Sequence, residues 1–343
     1  MSAVPQEFRP RGAGTGVGSM PHAGADASVV AALRTCPDLP FWPTRPLAVP
    51  DEHMVRQWAL GLPGVGDAPS SGEPAGGGGV AWVGRDRAPG QAALVPSAAG
   101  TLDSLLRTLR QRPPGWLKLQ ATGPVTLALA LDAGGREAIT VPSARGPLAL
   151  GYAARLRSVV TRVREALPAW KLLLVLDEPS ITHPLVAAQP KLALELWQAA
   201  RSTGAEITGL HCCATPPWGL LLDLDPQLVS FDAVACGDGA TDDPAFRRLI
   251  ANGTAVAWGL IPSSSEPASD ADAEALKADA EALATRLLDL VRWTAGDYLP
   301  EVLARSLVTP TCGLAALDEP EAERRLTLAA TTGQVAWEQA GLP

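Results

Sequence analysis

The runs KLLLVLDEPS (171–180) and EITGLHCC (206–213) decide how this chain folds. Each opens on a nearly unbroken apolar stretch and closes on residues that carry chemistry: Asp177 in one, His211, Cys212 and Cys213 in the other. A strand that is apolar at successive positions is buried on both faces, as in a parallel sheet covered by helices. Similar runs lie on either side. GTGVGS (14–19), FWPTRPLAV (41–49) and WLKLQA (116–121) come before; LVSFD (228–232), AVAWGLI (255–261) and SLVTP (306–310) come after. Helical periodicity falls between them, over residues 26–35, 147–167, 190–202, 243–251 and 269–294. Ser269 is a candidate N-cap for the last of these, and Gly204 follows the third as a C-terminal cap.

Eight such strands with helices between them predict a (β/α)8 TIM barrel, a single α/β domain over residues 13–343. An open doubly wound sheet uses the same units but would not bring the fifth and eighth strands together. Residues 1–12 are expected to be a flexible N-terminus. Residues 63–100 form a Gly/Pro-rich insertion after the second strand, with GGGG at 76–79. Within it VAWVG (80–84) and AALV (92–95) predict a hairpin, and a long insertion near the active face of a barrel suits a lid. The acidic, Ala-rich stretch 265–285 reads as a solvated helix.

The 343 residues are 47% hydrophobic and 19% charged, which permits a sizeable core. A net charge of −8 argues against nucleic acid and anionic membranes as partners. There is no apolar run long enough to span a bilayer and no apolar leader segment. Five cysteines in such a chain read as thiols or metal ligands rather than a disulfide framework. The cytoplasm is the expected compartment.

In a barrel, catalytic residues sit at the C-terminal ends of strands. His211 and Cys213 close the fifth strand, Asp232 closes the sixth, and Cys312 follows the eighth in TPTCGL (309–314). The His-x-Cys spacing points both side chains the same way from an extended segment, and turns Cys212 the other way as a packing residue. One imidazole and two thiolates are a soft ligand set suited to Zn2+. Asp232 is the candidate fourth ligand, with Cys236 as competitor; a carboxylate leaves more readily when a substrate thiolate arrives. The plain alternative is that the cysteines are buried small hydrophobes.

Taken together, GVGSMP (16–21), ATGPVT (121–126), LDEPS (176–180), GLHCC (209–213), FD (231–232) and TPTCGL (309–314) resemble a known family. It is the C-terminal catalytic barrel of cobalamin-independent methionine synthase, within the uroporphyrinogen decarboxylase-like barrels, and the likeness spans nearly all of residues 13–320. The resemblance implies that His211, Cys213 and Cys312 hold zinc, with Asp232 where the family has a glutamate. It also implies that Val17, Gly18, Ser19 and Asp177 hold the amino-acid part of homocysteine. Read from the residues alone, Asp177 is a strand-end carboxylate able to pair with an ammonium or to cap the next segment, and Gly18–Ser19 is a tight turn. The expected form is short, without the family's N-terminal half.

Departures from the family bear on the chemistry. Its second acidic contact to the homocysteine amine falls at Ala48, leaving Asp51 or Glu52 as substitutes near EHMV (52–55). The histidine acid that follows its seventh strand finds GLIPSSSEP (259–267) here, and no histidine follows His211. A folate nitrogen needs a proton to release its methyl group. His22, after the first strand, and His183, after the fourth, could serve as that acid, whereas methylcobalamin needs none. The expected activity is therefore zinc-dependent methyl transfer to a thiol, homocysteine to methionine, from a methylcorrinoid or methyltetrahydrofolate. A corrinoid or corrinoid protein is an expected partner. A porphyrinogen decarboxylase-like lyase and a non-catalytic zinc or thiol sensor are the competing readings.

Overall fold

A computed structural model describes residues 3–68, 79–84, 92–264 and 273–342. Two short strands come first, β1 (Val65–Asp67) and β2 (Val80–Trp82), paired antiparallel. They are followed by β3 (Trp116–Thr122), β4 (Lys171–Asp177), β5 (Ile207–Cys212), β6 (Leu228–Asp232), β7 (Ala255–Ile261) and β8 (Ser306–Pro310). These six form one curled, all-parallel sheet in sequence order, an α/β arrangement compatible with a TIM-like barrel.

The sheet has six strands where the sequence predicts eight. The two missing runs are extended but make single parallel bridges: Gly14 with Val308 on β8, Ser19 with Thr44, and Phe41 with Lys118 on β3. Thr15 N–H donates to Val308 O at 3.0 Å, Thr44 N–H to Gly18 O at 3.0 Å, and Trp42 N–H to Lys118 O at 2.9 Å. Composition explains why no ladder develops. Pro40, Pro43 and Pro46 have no N–H to give, and Gly14, Gly16 and Gly18 bring no side chains to a pleated surface.

Alternation along the strands sorts the core into two faces. Leu173, Val175, Ile207, Leu228, Ala255, Ala257 and Leu307 pack together inside the curve of the sheet, with Phe8 and Leu39 closing the N-terminal end. The intervening positions, among them Leu172, Leu174, Leu176, Leu210, Val229, Phe231 and Trp258, join the larger core under the helices. The inner face changes character along its length. Leu173 and Val175 are followed by Asp177, Ile207 by His211, and Leu228 by Ser230. The strand ends therefore present polar groups over an apolar floor.

Several expectations need correction. Residues 3–12, expected to be flexible, run along the closed end of the sheet: Phe8 is 2% exposed and Gly12 N–H donates to Ser306 O at 2.9 Å. VAWVG pairs back onto Val65–Asp67 and not forward onto AALV, whose Val95 leads into the 3-10 turn Pro96–Ala98. The helix expected from Pro147 starts at Pro142 and runs to Ala166, with Pro147 inside it. Asp243 caps the helix Pro244–Ala251 through its side chain. The last long central helix is Ala273–Ala295; the Ser269 cap and part of GGGG lie outside the described residues. Among the described residues no helix is long and apolar enough to cross a membrane.

Candidate metal centre

Three side chains converge at the C-terminal rim of the sheet. His211 lies in β5, Cys213 immediately follows it, and Cys312 sits in the turn after β8. One ligand atom from each, an imidazole nitrogen and two thiol sulfurs, lie within 4.8 Å of one another. His211 is buried and the two cysteines are partly covered. Cys212 faces the helices, fully buried in the larger core.

Neighbouring strands fix these groups. Ser230 pairs with His211 in the β5–β6 ladder, and its Oγ hydrogen-bonds His211 Nδ1 at 2.9 Å. The tautomer with its proton on Nδ1 leaves Nε2 to offer a lone pair, and Nε2 is buried without a hydrogen-bond partner. The Cys312 turn is pinned on both sides. Thr311 N–H donates to Ile261 O at 2.8 Å, and Leu314 N–H to Ser19 O at 2.8 Å. Gly313 lets the turn pack closely on Ser19, whose Oγ would lie 2.0 Å from a Cβ there and would have to turn away.

The two thiols behave as a coupled pair. The hydrogen bond from its neighbour Cys312 brings the Cys213 thiol down to about 7. Cys213 in turn pushes Cys312 up to about 12, against a downward pull from His211. One proton is thus shed easily and the other held. The donor set fits zinc. Zn–S and Zn–N bonds of about 2.3 and 2.0 Å put tetrahedral ligand atoms roughly 3.5–3.8 Å apart, within reach of small side-chain rotations here. The orphaned Nε2 has the unmet valence that coordination would satisfy.

Asp232 is not brought into this group. Its Oδ1 accepts from Val234 N–H at 2.9 Å and Ala235 N–H at 2.8 Å, capping the helix Ala233–Asp242. Cys236, on that helix, is buried and donates to Asp232 O at 2.7 Å. Asp177 sits beside His211 in the β4–β5 register, and its Oδ1 is buried without a partner. Burial pushes its carboxyl up to about 7, against the pull of Lys118. Across from it, Gly18 presses against Gln120: a Cβ on Gly18 would lie 1.3 Å from Gln120 Nε2. Val17 gives its carbonyl to Lys118 Nζ at 2.8 Å.

The substitutes for the family's second acidic contact are already committed. Glu52 is buried and holds Arg45 through Oε1 at 2.8 Å, while Asp51 accepts from Arg56 Nε at 2.7 Å and Ser97 Oγ at 2.5 Å. The two candidate acids differ. His22 is 2% exposed, with Nε2 3.3 Å from Glu323 Oε1. His183 caps the short helix Pro184–Ala188 and lines a groove of about 550 Å3 with Met54, Thr126, Leu131, Pro179 and Ser180. A larger cleft of about 770 Å3, against Phe8, Leu39 and Trp116, lies at the far end of the sheet from the three ligands.

Two buried residues escaped the sequence reading. Glu178 accepts from Val125 N–H at 2.9 Å and Thr126 N–H at 2.7 Å, at the start of the helix Pro124–Ala130. Its own N–H donates to His211 O at 2.7 Å, so it frames the rim on which the imidazole sits. Burial pushes its carboxyl up to about 7 against those N–H groups. Lys118 is the other, a lysine in the inward row of β3. The signal for Lys118 was a charge inside an apolar run; Glu178 stands just past one, between Asp177 and Pro179.

Neither any protein-family model nor any curated protein sequence matches the chain. Solved structures do. A methyltransferase from Methanosarcina mazei aligns over 96% of this chain and 95% of its own, with a TM-score of 0.56 and 15% identity. A B12-independent methionine synthase from a Shewanella species, in complex with selenomethionine, aligns over 68% of this chain, with a TM-score of 0.47 and 15% identity. That alignment takes in 66% of the synthase, just under two thirds. At such identities the first likeness speaks for the fold.

Proposed function

We propose that this chain is a zinc-dependent methyltransferase that delivers a methyl group to a thiol, with homocysteine as acceptor and methionine as product. The scaffold is read as an eight-stranded barrel in which segments 14–19 and 41–44 complete the ring between β8 and β3. One observation carries the reading: His211 and Cys213 from the end of one strand and Cys312 from another bring one nitrogen and two sulfurs within 4.8 Å. Bound there, zinc would lower the pKa of an incoming thiol so that it reacts as thiolate near neutral pH.

The protein's own groups supply the rest. Ser230 holds the His211 ring, and Glu178 holds the backbone at His211. Asp177 Oδ1 is the acceptor for the substrate ammonium, and the Val17–Ser19 backbone takes the carboxylate. The thiolate sulfur forms the new S–C bond while the donor's bond to the methyl group breaks, its electron pair staying with the donor. A folate donor would need a proton on its departing nitrogen, and His183, on the groove, is placed ahead of the Glu323-bound His22 for that task. A methylcorrinoid donor would need neither. The cysteines are unpaired, which suits a reducing compartment such as the cytoplasm.

The test is methionine formation by zinc-loaded protein and homocysteine, with methyltetrahydrofolate, its polyglutamate and methylcobalamin compared as donors. Product from one donor, lost when His211 is replaced, supports the reading. No product from any donor with fully metal-loaded protein overturns homocysteine as acceptor.

A further inference from the structure

Lys118 is an ammonium enclosed by the sheet, 4% exposed, on the inner face of β3. A buried cation is tolerated only when its surroundings answer its charge and its donors. Two partners do so directly: Val17 O at 2.8 Å and Gln120 Oε1 at 2.9 Å. The Gln120 amide occupies the space against Gly18, so this one cation ties the Val17–Gly18 backbone to β3. Ser19 then receives Leu314 N–H, which carries the tie to the turn holding Cys312.

Lys118 also faces Asp177 without a hydrogen bond between them. Among the described residues, the titratable groups that act on or feel Asp177 are Lys118 from β3, Glu178 beside it, Tyr152 from the helix Pro142–Ala166, and Cys213 after β5. Lys118 is the one cation in that set. Burial lowers its ammonium to about 8, and Asp177 works against that fall. A buried carboxylate oxygen without a partner thus lies opposite a cation already spent on the Val17 tether.

We propose that Lys118 is the positioning residue for the polar end of the acceptor thiol. It fixes the Val17–Ser19 backbone through Val17 O and Gln120, and its charge balances Asp177 while leaving Asp177 Oδ1 free for the ligand's cation. It acts through these groups and touches no reacting atom. The inference rests on the thiol-acceptor reading and adds the residue that orients the acceptor.

The experiment uses full-length protein with cobalt(II) in place of zinc, so that thiol binding is read from the cobalt absorption bands. Homocysteine is compared with 1-propanethiol, which has a sulfur but no charged end. In Lys118→Met, metal content stays at the native level, homocysteine affinity falls by about tenfold or more, and propanethiol affinity changes by less than about threefold. Equal weakening of both thiols, or no change in either, overturns the proposal. If no thiol perturbs the bands of the native chain, the acceptor reading fails first, and the native control makes that failure distinct. Should Lys118→Met not fold, the double variant Lys118→Met/Asp177→Asn removes both charges. It is expected to fold and to hold cobalt at the native level, because removing both charges together leaves no uncompensated buried ion; a double variant that also fails to fold contradicts the charge balance.

Discussion

The β4–β6 ladder and the bridged segments 14–19 and 41–44 meet at the same rim but are built in opposite ways. The ladder is regular: Asp177 pairs with His211 and His211 with Ser230, in continuous parallel register. Its side chains are aimed by the pleat, and the apolar residues below them hold that aim. The bridged segments touch their neighbours at single positions and are rich in glycine and proline. On the proposed reading they offer main-chain N–H groups instead, at Val17, Gly18 and Ser19. A soft metal needs side chains at fixed separations, which a ladder provides. A carboxylate of a small ligand is well served by exposed main-chain N–H groups, which a strand fully hydrogen-bonded in a ladder cannot spare.

If that division holds, damage to the ladder side should appear first in the metal. Alanine at His211, Cys213 or Cys312 should leave less than about a tenth of the metal after dialysis and cut methyl transfer by about 1,000-fold or more. Metal analysis alongside the assay checks both. Ser230→Ala keeps all ligands but frees the imidazole, so zinc affinity should fall by about 10–100-fold in a chelator competition while the fold stays intact. Damage to the bridged side should leave the metal alone. Gly18→Ala forces a Cβ onto the Gln120 amide; the KM for the acceptor should rise by about tenfold with zinc content unchanged. The smallest effect belongs to Asp232→Ala. Loss of its two N–H acceptors should cost about 1 kcal/mol of stability in chemical denaturation, with full metal content. Loss of zinc in that variant would return Asp232 to the ligand set.

Much of the ladder side was legible in the chain because its signals are local. Continuous apolar runs located β3 to β8, and period two along GLHCC separated His211 and Cys213 from Cys212. The bridged side was legible only as extended segments. Whether a run such as FWPTRPLAV pairs along its length depends on N–H groups that its prolines lack, and on neighbours far away in sequence. The hairpin was misjudged for a related reason. VAWVG has strand character, but its partner Val65–Asp67 is short and carries a glycine, so periodicity alone favoured AALV. Lys118 could be noticed as a charge inside an apolar run and Glu178 as a second carboxylate beside Asp177, yet their roles depend on the Val125–Thr126 amides and the Val17 carbonyl, contacts made only by folding. Asp232 shows the converse. Its place at a strand end suggested a ligand, and the helix that begins at Ala233 claims its Oδ1 as a cap.

X-ray absorption at the zinc edge, on the purified protein before and after homocysteine is added, tests the central claim most directly. The account predicts about one zinc per chain with two sulfurs and one histidine nitrogen among its neighbours, and a third sulfur once the thiol is present. A protein that holds no zinc after reconstitution, or a sulfur count that stays the same when the thiol is added, would contradict it.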